Sequence, residues 1–460
     1  MLSFLNSALP ILTPVLCTVA LEMIFLHAIK RQDGKVELTE VGVVFSGLIS
    51  IYAVLPAVTF FAGGLEYSLL SDVRLFRAQP SPAELVPIFW FYFLYLASFA
   101  WAYSSFRGNA PLRKPEIPKP SPQLILILLC GYLSIRLFFI VIRTVWNIQA
   151  PESYGDEYLL YQNLPLFLQQ LANHLGWMSL TTELLLMAAL TLNYKKYRVF
   201  IFGWLAAEFL TIAIFSVGSR TGLMMALMTF AITYHLFVKK LGPRTIGLLS
   251  FAALLLFMVL GFARMIAADG SVEADATLLA SSNEFEALFA NAYDIRQLKA
   301  ADETSDIFPG FYFSDVANLI PQQLLPFKKV DLGQWYAQTF YPDYADTGGG
   351  FAFGVIPESI VGLGWFDLIW RGLLVGWAFA YIYRRFVTGT NSFWEYAFYL
   401  WVTIFCYQAF RTTTFILVPH AIYDVLTVML AAKLASRFVT WVLKPPPSTA
   451  RASKLAPESL

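Results

Sequence analysis

Six arginines stand where a cation is costly: Arg136, Arg143, Arg220, Arg264, Arg296 and Arg411. Arg220 is the sharpest case, since "FSVGSRTGLMMALMTF" (Phe215–Phe230) sets it between two apolar runs, and a guanidinium is expensive beside hydrocarbon. Arg220 and Arg411 each occupy a short turn between apolar segments, and Arg264 ends a third. Arg136 and Arg143 are seven apart, so they share a helix face. Gathered guanidinium forks suit a planar, multiply charged oxyanion, above all phosphate or diphosphate. The competing reading is that each arginine snorkels to lipid phosphate and anchors its own helix.

The acids and histidines that could move a proton are fewer. Asp294 and Arg296 share the amphipathic stretch "NEFEALFANAYDIRQL" (Asn283–Leu298), and Asp343, Asp346 and Glu358 flank Gly348–Gly349–Gly350. Glu358, in "GFAFGVIPESIVGLGWFDLI", is expected on a short interfacial helix. A carboxylate at a low-dielectric rim is raised in pKa and suits a general base. Behind Pro357 it equally suits a helix N-terminus. His174 is expected in the outer half of an apolar helix, facing the site or packed in the core. His420 and Asp424 are four apart and share a face, which serves a proton relay or a structural His–Asp bond. Glu22, Glu183 and Glu208 are intramembrane acids. No HExxH, DxD, G-x-S-x-G or phosphate-cradling glycine loop occurs, so no metal and no cofactor is implied. The three cysteines, Cys17, Cys130 and Cys406, lack ligand spacing.

The elements that must position these groups are membrane helices. The chain is 58% hydrophobic and only 14% charged, with mean hydropathy +0.60; a soluble domain carries about 25% charged residues. The net charge of +1 gives no case for nucleic-acid binding. The expected fold class is an all-α polytopic membrane protein with about 11 transmembrane helices, each near the roughly 20 residues a crossing needs. The spans are expected at 8–28, 41–62, 85–106, 122–143, 165–193, 199–217, 221–238, 245–266, 363–383, 394–410 and 415–440. The first apolar run lacks a cleavage site and reads as a retained span.

Loop charge sets the orientation. Lys30–Arg31–Lys35, "RGNAPLRKPEIPKP" (Arg107–Pro120), "KKYR", "KKLGPR", Arg384–Arg385 and Lys433–Lys444 all fall on one side. The acidic "PESYGDEY" (Pro151–Tyr158) and a long loop, 267–350, fall on the other. The C-terminus is then cytoplasmic, and the six arginines, with Arg74 and Arg77, lie on or toward the outer face, where the positive-inside rule gives no reason for them. The organisation is helices 1–8 over 1–266, the loop with short helices over 267–350, an interfacial helix plus helices 9–11 over 351–440, and a tail over 441–460. A loop of roughly 84 residues is too long for a bare connector.

In order and topology, "SVGSRTGLMMAL", "LIPQQLLPFKK", "TGGGFAFGVIPESIVGLGW" and "FRTTTF" resemble the bacterial oligosaccharide repeat-unit polymerases, including O-antigen polymerases. The resemblance covers roughly Val199 to Val439; the first 190 or so residues match in hydropathy only. It implies a membrane glycosyltransferase of GT-C-like build in the inner membrane, with its site facing the periplasm. Such an enzyme polymerises repeat units carried on undecaprenyl diphosphate and releases undecaprenyl diphosphate. Arginines matching Arg220 and Arg411 would bind diphosphate or glycan, and an acid matching Glu358 would lie close by. Implied partners are the lipid-linked glycan as donor and acceptor, the bilayer, a chain-length regulator and a flippase. A diphosphate leaving group needs charge stabilisation more than a protonating acid, which arginines supply without a metal. The base for the acceptor hydroxyl is Glu358, Asp294, Asp346 or His174. Three other readings stand: a glycan ligase, a polyprenyl-glycan transporter or flippase, and a purely structural membrane protein, against which the outer-face arginines argue. Against transport stand the lack of an internal repeat and the asymmetric outer loop.

Overall fold

A computed structural model describes residues 2–30, 36–61, 81–108, 117–146, 164–215, 221–242, 244–249, 251–252, 255, 284–317, 319–320, 324–327, 329–342, 345, 352–389 and 392–442. Every regular element among them is helical. In chain order they are α1 (Leu2–Ala28), α2 (Val41–Phe61), α3 (Pro82–Arg107), α4 (Pro122–Val145), α5 (Leu166–Leu192), α6 (Tyr194–Phe215) and α7 (Thr221–Thr233), extended by a π turn, Tyr234–Val238. Then come α8 (Glu284–Ala300), α9 (Gly310–Ala317), α10 (Leu332–Phe340), α11 (Val355–Val361), α12 (Trp365–Thr388), α13 (Phe393–Phe405) and α14 (Gln408–Arg411). α15 (Leu417–His420) runs through a π turn, Ala421–Leu426, into α16 (Thr427–Val442).

Among the described residues, six segments are long and apolar enough to cross a membrane: Leu9–Ala28, Val41–Phe61, Pro82–Arg107, Pro122–Val145, Phe167–Leu192 and Leu417–Val442. The chain is an all-α membrane protein. Of the other expected spans, 221–238 holds a shorter apolar helix, Gly222–Val238, and the other described ones are more charged or shorter. α6 opens on Lys195, Lys196 and Arg198, α12 carries Asp367, Arg371, Arg384 and Arg385, and α13 is only 13 residues long. Most of 245–266 lies outside the described residues.

Helix starts follow local chemistry. The Ser121 side chain accepts from the Leu124 backbone at 3.2 Å, with Pro122 at the first helical position, where its missing N–H costs nothing. Ser392 and Glu395 form a reciprocal capping box.

The bundle centre is the α3–α12 pair. Gly372 and Gly376 of α12 face Ser98 and Ala102 of α3: a Cβ on Gly372 would lie 2.9 Å from the Tyr95 carbonyl, and one on Gly376 would lie 2.5 Å from the Phe99 carbonyl. Two small-xxx-small stripes thus let the backbones touch, the form of contact that drives helix association in lipid. Around the pair, Phe45 packs edge-on against Phe99 at 4.9 Å and Phe379 at 5.1 Å. At the end carrying the basic segments, Glu40 takes a two-point contact from Arg107 and a 2.8 Å bond from Tyr103, while His235 meets Glu37 at 2.7 Å. The opposite end of the pair carries α8 to α11.

Candidate ion-network site

The site begins at Gly354, whose φ of +90° is a conformation side chains rarely adopt. This bend brings the Gly354 N–H to the Thr412 carbonyl at 3.1 Å, so the chain before α11 pairs with the turn after α14. A Cβ there would approach Leu288 at 2.9 Å. α11 itself is wholly buried. Its C-terminal carbonyls would be orphaned in the interior; Lys299 of α8 donates to those of Ile360, Val361 and Gly362. Burial lowers the Lys299 pKa, yet the ammonium sits where a helix end favours positive charge.

Glu358 projects from α11 into the interior and meets Arg371 of α12, Nη1 to Oε1 at 2.8 Å, both side chains 0% exposed. Arg371 Nε contacts Asp367 at 3.1 Å one turn back on α12, and Nη1 lies 3.8 Å from Asp315 of α9. Nη1 also donates to the Thr414 hydroxyl at 2.9 Å, and the Thr414 N–H donates to Glu358 Oε2 at 3.3 Å. Asp367 accepts from Tyr312 at 2.9 Å and from the Trp370 indole. The guanidinium lies 4.8 Å from the Trp370 ring centre and 5.6 Å from that of Tyr312. Gly362 is required beside this group, since a Cβ would collide with Tyr312 and Asp367.

One guanidinium therefore faces three carboxyls. Burial raises the Asp315 carboxyl from its ordinary range and, outweighing the pull of Arg371, raises Glu358 well above its own; the two carboxyls press against each other. A proton held between them brings the group closer to charge balance. Three segments are locked together: α11, α12 and the 411–414 turn.

The remaining expected site residues divide. Arg411 ends α14, half-buried, in the turn that Gly354 and Arg371 hold. Arg220, Arg264 and Asp346 lie outside the described residues, as do Asp343, Arg74 and Arg77. Two of the described arginines, Arg296 and Arg136, hold protein partners of their own. Arg296 donates to the Glu84 carbonyl at the start of α3 at 2.6 Å. Arg136 bonds the Tyr132 hydroxyl at 2.8 Å and lies 3.8 Å from Glu208, between α4 and α6. Arg143 is half-buried, two turns further along α4.

Glu358 was expected at a rim and lies in the interior, because Arg371 compensates its charge there. Asp294 is 1% exposed and accepts from the Tyr336 hydroxyl at 2.8 Å and from the Tyr341 hydroxyl, joining α8 to α10. His174 is exposed, its Nδ1 3.9 Å from Asp424. Sequence reasoning missed Arg371, Asp367, Asp315, Tyr312 and Thr414. A signal was present for two of them: Asp367 and Arg371 are a charged i,i+4 pair inside an apolar helix. Among the described residues no group of three or more His, Cys, Asp or Glu could hold a metal.

Comparison of the chain with protein-family models, with curated proteins and with solved structures finds no match.

Proposed function

We propose that the protein is a glycan polymerase of the bacterial inner membrane, crossing the bilayer about eleven times in a GT-C-like arrangement. It joins oligosaccharide repeat units carried on undecaprenyl diphosphate at the periplasmic face and releases undecaprenyl diphosphate. One observation carries the reading. Two of the segments that resemble the repeat-unit polymerases, "TGGGFAFGVIPESIVGLGW" and "FRTTTF", are tied together by Gly354–Thr412 and Glu358–Thr414, and Arg371 bonds Thr414 as well.

The division of labour follows from charge. Arg371 is surrounded by three carboxyls and would not attract a diphosphate. Its part is to fix the 411–414 turn, which presents Arg411. Arg411, with Arg220, is the cation for the diphosphate, stabilising the charge that develops as the C1–O bond breaks. An apolar groove of about 410 Å³ supports a lipid substrate: it begins at Trp370, which bonds Asp367, and is lined by Trp101, Phe106, Leu373 and Trp377 between α3 and α12. A polyprenyl tail fits its chemistry.

The test is to replace Arg220 and Arg411 singly with alanine in a host lacking its own polymerase. Single repeat units on lipid are the expected product. Wild-type chain lengths from both variants at normal expression would remove the diphosphate-site reading.

A further inference from the structure

Resting on that reading, we infer that His420 is the base that deprotonates the acceptor hydroxyl, with Asp424 its positioning residue. His420 closes α15, and Asp424 lies one turn on, within the π turn Ala421–Leu426. Inserted π turns re-aim side chains and recur at functional sites. His420 Nδ1 and Asp424 Oδ2 are 2.7 Å apart, and the Asp424 side chain is 2% exposed. A buried carboxylate accepts, so Nδ1 carries the proton and Nε2 carries the lone pair. The His420 ring is itself held, packed at a tilt against Trp177 of α5 with centres 4.0 Å apart. No described residue hydrogen-bonds Nε2, and the His420 side chain is 19% exposed. A carboxylate that fixes the tautomer and an aromatic neighbour that fixes the ring leave Nε2 without a hydrogen bond from any described residue.

The location fits. Five residues separate His420 from Thr414, which Arg371 bonds, and Phe415 packs on Trp370. The Tyr423 hydroxyl donates to the Leu319 carbonyl in the 267–350 segment. The dyad therefore lies at the same end of the bundle as Arg411. Groups that face the pair are His174 of α5, 3.9 Å from Asp424 and with its ring 5.9 Å from that of Tyr423, and Tyr423 itself. By contrast, Glu358 is fully buried in its ion pair with Arg371, and Asp294, 1% exposed, accepts from Tyr336.

The acceptor O–H gives its proton to His420 Nε2 as the oxygen attacks the anomeric carbon of the donor glycan. The C1–O bond to the diphosphate breaks, its electron pair leaves with undecaprenyl diphosphate, and the imidazolium later returns the proton to water. Asp424 holds the imidazolium that forms.

The test uses purified full-length protein in nanodiscs with an undecaprenyl-diphosphate-linked oligosaccharide as donor and acceptor. His420→Ala and His420→Gln are expected to lower kcat about 100-fold or more with KM within about twofold and an unchanged melting temperature. Added imidazole should restore turnover to His420→Ala. Asp424→Asn should lower kcat while leaving KM. Wild-type turnover in either His420 variant overturns the assignment. So does a loss in stably folded His420→Ala that imidazole does not repair. Failure of the wild-type protein to release undecaprenyl diphosphate would instead overturn the polymerase reading, so the two failures are distinguishable.

Discussion

Arg371 and Glu358 form a 2.8 Å ion pair in which neither side chain reaches solvent. They come from adjacent helices, α12 and α11, and through Thr414 they hold the turn that carries Arg411. Breaking a buried pair by removing one partner leaves an uncompensated charge and costs about 3–5 kcal/mol. Arg371→Ala should therefore lower the melting temperature of the purified protein sharply and reduce its yield. Glu358→Gln keeps a hydrogen-bonding head and should cost less than Arg371→Ala in the same melting assay.

The Asp315–Glu358 contact sets a pH dependence. Burial raises both carboxyls above their ordinary values of 3.8 and 4.5. The folded state therefore binds the shared proton more tightly than the unfolded chain does. The stability this contributes is fully present below about pH 4, and it is lost as pH rises through the raised folded values. Asp315→Asn keeps a donor at that position without a proton to lose. Melting temperatures measured across the pH range should fall with pH more steeply in the wild type than in Asp315→Asn.

Gly354→Ala should be damaging although it adds one methyl group. The residue has φ +90°, and the new Cβ would lie 2.9 Å from Leu288 and 3.7 Å from the Arg411 carbonyl. A non-glycine residue in the left-handed region costs about 1–2 kcal/mol, and the bond to Thr412 would be strained in addition. Chain-length analysis of the polymer made in cells should show shortened product even where membrane expression is normal.

Gly376 is a test of the bundle rather than of the site. Gly376→Leu would drive a side chain into the Phe99 carbonyl, separating α3 from α12. Loss of the folded, monodisperse species in detergent is expected. Tyr381→Leu, at a 61% exposed position on the same helix, should leave folding intact.

The helices were legible because membrane crossing demands long apolar runs, and the basic segments gather at one end of the bundle, as Lys30, Arg107 and Lys239 anticipate. Glu358 and Arg411 were legible as costly charges in apolar surroundings. Arg371 was not read, although Asp367 four residues earlier marks it as half of a pair. Asp315 and Tyr312 were beyond sequence reasoning, since their part depends on α9 folding back onto α12. The grouping of arginines was expected from topology alone. Arg136 and Arg296 meet acceptors on neighbouring helices, Glu208 and the Glu84 carbonyl, which no reading of one helix at a time brings beside them. The Gly372–Gly376 stripe is a short motif whose meaning appears only once Ser98 and Ala102 face it.

The most direct measurement is the product distribution formed by the purified wild-type protein from an undecaprenyl-diphosphate-linked oligosaccharide. The expected result is a ladder of glycans of increasing length, with one undecaprenyl diphosphate released for each unit joined. An unaltered lipid-linked unit that has only crossed the vesicle membrane would contradict polymerisation, as would single transfer to an unrelated acceptor.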